Sequence, residues 1–141
     1  ATLFVSAQQK NTLLEQSFWK TSPDVTSIKA EIAKGNNPAE ANVNAFDVTT
    51  LAINNDAPIA TIKFLIDQPG NSITKLTHDN RIYLHWAAYK GNTELVEYLI
   101  GKGSDIKFTT LTTGGVTFTP DQQAAAFEAF VRSIKTDNNA I

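Results

Sequence analysis

The sequence predicts an all-α solenoid of antiparallel helix pairs. Three observations carry that expectation. Between residues 84 and 106 two short helical patterns stand back to back, each stopped by a glycine, Gly91 and then Gly103. Ile62-Lys63-Phe64-Leu65-Ile66 returns as Val96-Glu97-Tyr98-Leu99-Ile100 at an offset of 34 residues. Both ends of the chain depart from this pattern, as a stack of repeats requires, because each terminal unit must present one face to water.

Taken in order, Thr12-Leu13-Leu14-Glu15 has the spacing of a capping box, and Leu14, Phe18 and Trp19 give a short helix an apolar face. That helix reads as half of a capping repeat. Ser22-Pro23-Asp24 follows as N-cap, first helical position and dipole-favoured carboxylate. The helix it opens carries Ile28 and Ile32, which align with Ile62 and Ile66 at the same offset of 34. Ala52 aligns with Ala87 at 35 instead, which places a one-residue insertion in Asn54-Asn55-Asp56-Ala57-Pro58. Extra loop length costs little there.

The best-preserved unit comes next. Ala87 and Ala88 favour a helix and let a neighbouring helix approach closely. Gly91 suits the left-handed residue that ends a helix, while Asn92 and Glu94 suit the start of another. Leu95, Val96, Leu99 and Ile100 form the apolar face of that second helix, with Glu94, Glu97 and Lys102 outside it. Beyond residue 106, a Thr-rich stretch surrounding Gly114-Gly115 predicts a short β-hairpin, since Val116-Thr117-Phe118-Thr119 alternates with period two. Thr119-Pro120-Asp121-Gln122 then opens a C-terminal capping helix with the stripe Ala124, Phe127, Phe130, Val131 and Ile134. Residues 137–141 read as a frayed tail.

The run Leu84-His85-Trp86-Ala87-Ala88-Tyr89-Lys90-Gly91-Asn92, closed by Gly103-Ser104-Asp105-Ile106, resembles a complete ankyrin repeat. That family's pattern reads Asp-Gly-x-Thr-Pro-Leu-His-x-Ala-Ala, two variable positions, Gly-Asn or Gly-His, an apolar helix and Gly-Ala-Asp. Ile82-Tyr83 replaces Thr-Pro here, and Asn80 replaces the turn glycine. The resemblance implies one domain over residues 1–141: an N-terminal extension and degenerate capping repeat (1–43), a degenerate repeat (44–78), a well-matched repeat (79–106), and the hairpin-like segment with its helix (107–141).

It also implies a mode of action, because ankyrin proteins bind protein partners through β-turn fingers and the concave surface of their first helices. The matching positions are His78, Asp79 and Arg81 before the Leu-His pair, and Tyr89 and Lys90 before Gly91. In the preceding repeat they are Phe46, Asp47, Asn54 and Asn55, more loosely, because Leu-His has become Thr49-Thr50. Arg81 and Tyr89 carry most weight, since arginine and tyrosine combine packing area with directed polar groups. Phe46 fits either an apolar anchor or ordinary burial, and Trp86 fits the core.

Composition narrows the alternatives. A net charge of -2 and the lack of any basic cluster interleaved with aromatics give nucleic acid no electrostatic footprint. No apolar run approaches the roughly 20 residues that cross a bilayer, so no membrane insertion is expected. The chain has no cysteine, which removes disulfides, thiolate chemistry and Cys-based metal sites. It has no methionine either, which points to a processed or truncated chain. Ala1-Thr2-Leu3-Phe4-Val5-Ser6-Ala7 resembles the end of a secretory signal. Periplasmic or secreted placement follows if it is one, and cytoplasmic placement otherwise.

No residue pattern calls for a cofactor, a metal or catalysis. The resemblance gives His85 a structural role tying turn to helix, and a lone histidine without a placed partner lacks the geometry of a catalytic pair. His78 is not at metal-ligand spacing from it. Glu94 and Glu97 read as a solvated helix edge rather than an acid–base pair. Gly101-Lys102-Gly103 is too short for a phosphate loop. Two functions stay open: a monomeric protein-interaction module, or a structural or capping section of a longer repeat protein with no ligand of its own.

Overall fold

A computed structural model of the protein describes residues 9–105 and the strand residues 112–113 and 116–117. Thr12–Leu14 forms a 3-10 turn, followed by α1 (Gln16–Trp19), α2 (Val25–Ala33), α3 (Val48–Asn54), α4 (Ile59–Ile66), α5 (Tyr83–Tyr89) and α6 (Thr93–Gly101), with a second 3-10 turn at His78–Asn80. The helices form successive pairs. Each first helix stands beside the next, α1 against α3 and α3 against α5, while α4 packs on α3 and α6 on α5. α2 packs on the Thr12–Leu14 turn and on α4. Residues 9–105 form an all-α array of antiparallel helix pairs.

One local device sets the period. Ser22, Asp56 and Gly91 occupy the same left-handed conformation, with φ of 53°, 53° and 67°. Their N–H groups donate to Trp19, Ile53 and Ala88 at 3.1, 3.1 and 3.0 Å. In the second and third pairs the next residue reaches further back, Ala57 to Ala52 and Asn92 to Ala87, both at 3.0 Å. These paired bonds satisfy the carbonyls a helix end leaves open and reverse the chain. The equivalence makes Pro58 the inserted residue. It sits at the N-cap of α4, where α6 is capped directly by Asn92, whose side chain accepts from Leu95 N–H at 3.1 Å.

The first pair corrects two expectations. Ser22 does not cap α2, because it is used in the left-handed turn that closes α1. Asp24 is the N-cap instead, its carboxylate accepting from Ser27 N–H and Oγ, each at 2.8 Å. Thr12 does not open a capping box either. Asn11 caps the turn, accepting from Leu13 N–H at 3.0 Å while its amide donates to the Asn37 carbonyl at 2.9 Å. The chain then breaks at Glu15, so the first helix is split into a 3-10 turn and the single turn of α1. Leu13 and Trp19 are its buried residues, with the Trp19 indole donating to the Leu13 carbonyl at 2.8 Å.

The core runs continuously through the array, from Leu13 and Trp19 through Ile28, Ile53, Ile62 and Leu65 to Leu84 and Leu99. In α6 the buried face is Leu95, Val96 and Leu99; Ile100, expected with them, is 41% exposed. Ile100 falls past the edge of that buried stripe. Thr112 pairs with Thr117 and Thr113 with Val116, antiparallel, where the Gly114-Gly115 signal predicts a hairpin. The expected capping helix after residue 119 lies outside the described residues.

Candidate functional site

Ahead of α3 and α5 the chain makes the same narrow turn. Asn42 N–H donates to the Phe46 carbonyl and Thr77 N–H to the Arg81 carbonyl, both at 2.9 Å. The turn needs a left-handed residue near its end, and Ala45 (φ 61°) and Asn80 (φ 56°) supply it. Side chains brace the turns: Asn42 Oδ1 accepts from Asn44 N–H at 3.0 Å, and Thr77 Oγ1 donates to the Arg81 carbonyl at 2.6 Å. The two turns project as neighbouring fingers, and their residues touch. The His78 imidazole stacks on the Phe46 ring, centroids 4.3 Å apart, and its Nδ1–H donates to the Asn44 carbonyl at 2.7 Å.

A buried polar network anchors the fingers. Asp47 is fully buried, and its carboxylate accepts from Thr50 N–H at 2.8 Å, from the Tyr83 hydroxyl, and from the Lys75 ammonium at 2.8 Å. Lys75 also donates to the Ala39 carbonyl and to Asn71 Oδ1, both at 2.9 Å. The Asn71 amide reaches the Pro38 carbonyl at 3.0 Å, Thr49 Oγ1 at 3.1 Å and the Leu65 carbonyl at 2.9 Å. Each buried charge is therefore paired and hydrogen-bonded, the condition under which burial is tolerated. Burial, then the neighbouring Asp47 carboxylate, pushes the Tyr83 phenol well above its ordinary range, so it stays a donor.

Over this base lies an aromatic surface. Trp86, on α5, is buried and its indole donates to Thr77 Oγ1 at 2.8 Å. Phe46 meets Trp86 with centroids 5.6 Å apart, the Arg81 guanidinium lies over the Trp86 ring at 4.9 Å, and Tyr89 stands edge-on to it at 6.3 Å. Phe46, His78 and Arg81 are half-buried, and Tyr89 is 72% exposed. The structure thus brings together four of the nine sequence-assigned residues around one tryptophan. A cation over an indole face beside exposed aromatic rings suits recognition, since it joins apolar area to directed charge.

The other five fall differently. Asp79 is exposed at the finger tip, its carboxylate 3.4 Å from His78 Nε2. Lys90 is half-buried and paired with Asp56 at 3.1 Å. Asn55 bonds back to the Leu51 carbonyl at 2.8 Å and meets Gln16. Asn54 is half-buried, and its Oδ1 has no hydrogen-bond partner among the described residues. Asp47 is the clear departure: as the N-cap of α3, buried in the network above, it is not available at the finger surface. Sequence reasoning missed Val43, fully exposed at the tip of the first finger, and Asn71 and Lys75 beneath it. A cue existed for Asp47, because Asp47-Val48-Thr49-Thr50 also reads as a helix N-terminus.

Elsewhere, His85 Nδ1 accepts from Ile82 N–H at 3.1 Å, tying the finger to α5 and occupying that nitrogen's lone pair. Among the described residues no group of three or more His, Asp or Glu is placed to hold a metal ion. No helix among them is long and apolar enough to cross a membrane. A separate open groove of about 440 Å³ lies at the N-terminal side, bordered by Lys10, Leu14, Glu15, Glu40 and Val43.

Paired helices at a fixed period, with β-turn fingers between them, define a repeat protein of the solenoid class. The family model described as ankyrin repeats (3 copies) matches residues 22–110, and the chain belongs to that family. Ankyrin repeats generally serve as protein–protein interaction modules and scaffolds rather than as catalysts. No curated protein matches the chain.

Proposed function

We propose that this chain is a protein-binding module that engages its partner through the two finger tips and the adjoining exposed face of α5. The observation that carries the reading is the cluster of Phe46, His78, Arg81 and Tyr89 around Trp86. Large aromatic and arginine side chains left partly exposed on a rigid base are the composition of interface centres. Rigidity is supplied from below by the Asp47–Lys75–Asn71–Tyr83 network, so little ordering entropy is lost on binding. His78, Asp79, Arg81 and Tyr89 form the contact surface together with Phe46, while Lys90, Asn54 and Asn55 border it.

Affinity capture from the source cells tests the proposal, comparing the wild-type chain with the Arg81→Ala/Tyr89→Ala double variant. A partner held by the wild type and lost by the folded variant supports it. A partner retained equally by both contradicts it, as does the finding that the chain acts solely as a covering section of a longer array.

A further inference from the structure

We propose that Arg81 receives a carboxylate, so that the partner presents an aspartate or glutamate next to an apolar residue. The inference rests on the protein-binding reading above and names the chemistry of what is bound.

Lys63, Lys75, Lys90 and Lys102 are neutralised within the protein, by Glu94, Asp47, Asp56 and Asp67. Among the described residues Lys20, Lys29 and Arg81 have no carboxylate within ion-pair distance, and of these Arg81 alone stands on a finger, its guanidinium over the Trp86 ring at 4.9 Å. The nearest acid in sequence, Asp79, is directed at His78 Nε2 instead.

The Trp86 ring is not a carboxylate partner, so the guanidinium's charge is still open to one. Its planar fork of N–H donors matches the two oxygens of a carboxylate. Half-burial beside Trp86 weakens solvent screening of that charge, which strengthens an incoming ion pair. Tyr89, 72% exposed and edge-on to Trp86, and Phe46, 5.6 Å from the Trp86 ring, provide apolar surface next to the charge. A doubly charged phosphate ester fits less well, because phosphate sites gather several cations and this one offers a single guanidinium on a chain of net charge -2.

The test is selection of phage-displayed short random peptides on the full chain, followed by affinity measurement with a selected synthetic peptide. Selected peptides are expected to share an acidic residue beside an apolar one. Changing that acid to its amide should weaken binding to the wild type about tenfold or more. The same change should cost nothing further in Arg81→Gln, and Arg81→Lys, which keeps the charge without the fork, should fall between. Circular dichroism melts confirm that both variants fold. Peptides that depend on Tyr89 yet carry no acid and ignore Arg81→Gln overturn the carboxylate assignment and leave the protein-binding reading standing. Tighter binding of a phosphoserine replacement also overturns it. Failure to enrich any peptide, or enrichment indifferent to both Arg81→Gln and Tyr89→Ala, overturns both readings.

Discussion

The Tyr83 hydroxyl donates to the buried Asp47 carboxylate across 36 residues of chain, joining the first turn of α5 to the N-cap of α3. One bond therefore links consecutive repeats at the base of both fingers. Tyr83→Phe keeps the ring and leaves a buried acceptor short of one donor. It should destabilise the fold by about 1–3 kcal/mol, read from urea unfolding at neutral pH. An unchanged midpoint would mean that Lys75 and Thr50 satisfy the carboxylate alone.

The same phenol gives a pH dependence of defined sign. Its folded pKa is raised, so the fold favours the neutral form. Its contribution is complete below the ordinary tyrosine value of about 10 and declines as pH rises past it, when the unfolded chain releases the proton and the folded chain does not. Between about pH 9 and 11 the wild type should lose stability more steeply than Tyr83→Phe. Parallel curves for the two proteins would refute this.

Gly70 has φ +87°, and a Cβ built there would lie 2.8 Å from the Ala39 Cβ. Gly70→Ala combines a left-handed penalty with an overlap that neither backbone can easily relieve. A loss of about 1–3 kcal/mol is expected, again by urea unfolding. A neutral result would mean that the segment after α4 moves freely away from residue 39.

Ala45 holds the left-handed position of the first finger at φ 61°, where an L side chain is strained. Ala45→Gly should raise stability by about 0.5–1 kcal/mol. Asn80→Gly, at the equivalent place in the second finger, should gain less, because asparagine tolerates that conformation. A calorimetric melt of each variant separates the two cases, and equal shifts would contradict the ranking.

What the sequence made legible was the periodic part. Gly91, Asn92 and the Leu95-Val96-Leu99 face act through their own neighbours, and a local signal survives in the order of residues. The one-residue insertion was legible for the same reason, since two offsets disagreed on either side of it. Asp47 was misplaced because its partners Lys75 and Tyr83 are distant in sequence, and an aspartate beside a turn otherwise reads as surface. Ser22 was misplaced because two good cap signals, Ser22-Pro23 and Asp24, compete, and the closing turn of α1 decides between them. The stacking of His78 on Phe46 was not legible at all: it depends on how two fingers lie side by side.

If the fingers and the adjoining face of α5 meet the partner, hydrogen exchange of the full chain, with and without the partner captured by the wild type, will register it there. Slowed exchange is expected over residues 42–46, 77–81 and 86–90. Slowing confined to α2, α4 and α6, with the fingers unchanged, would contradict it.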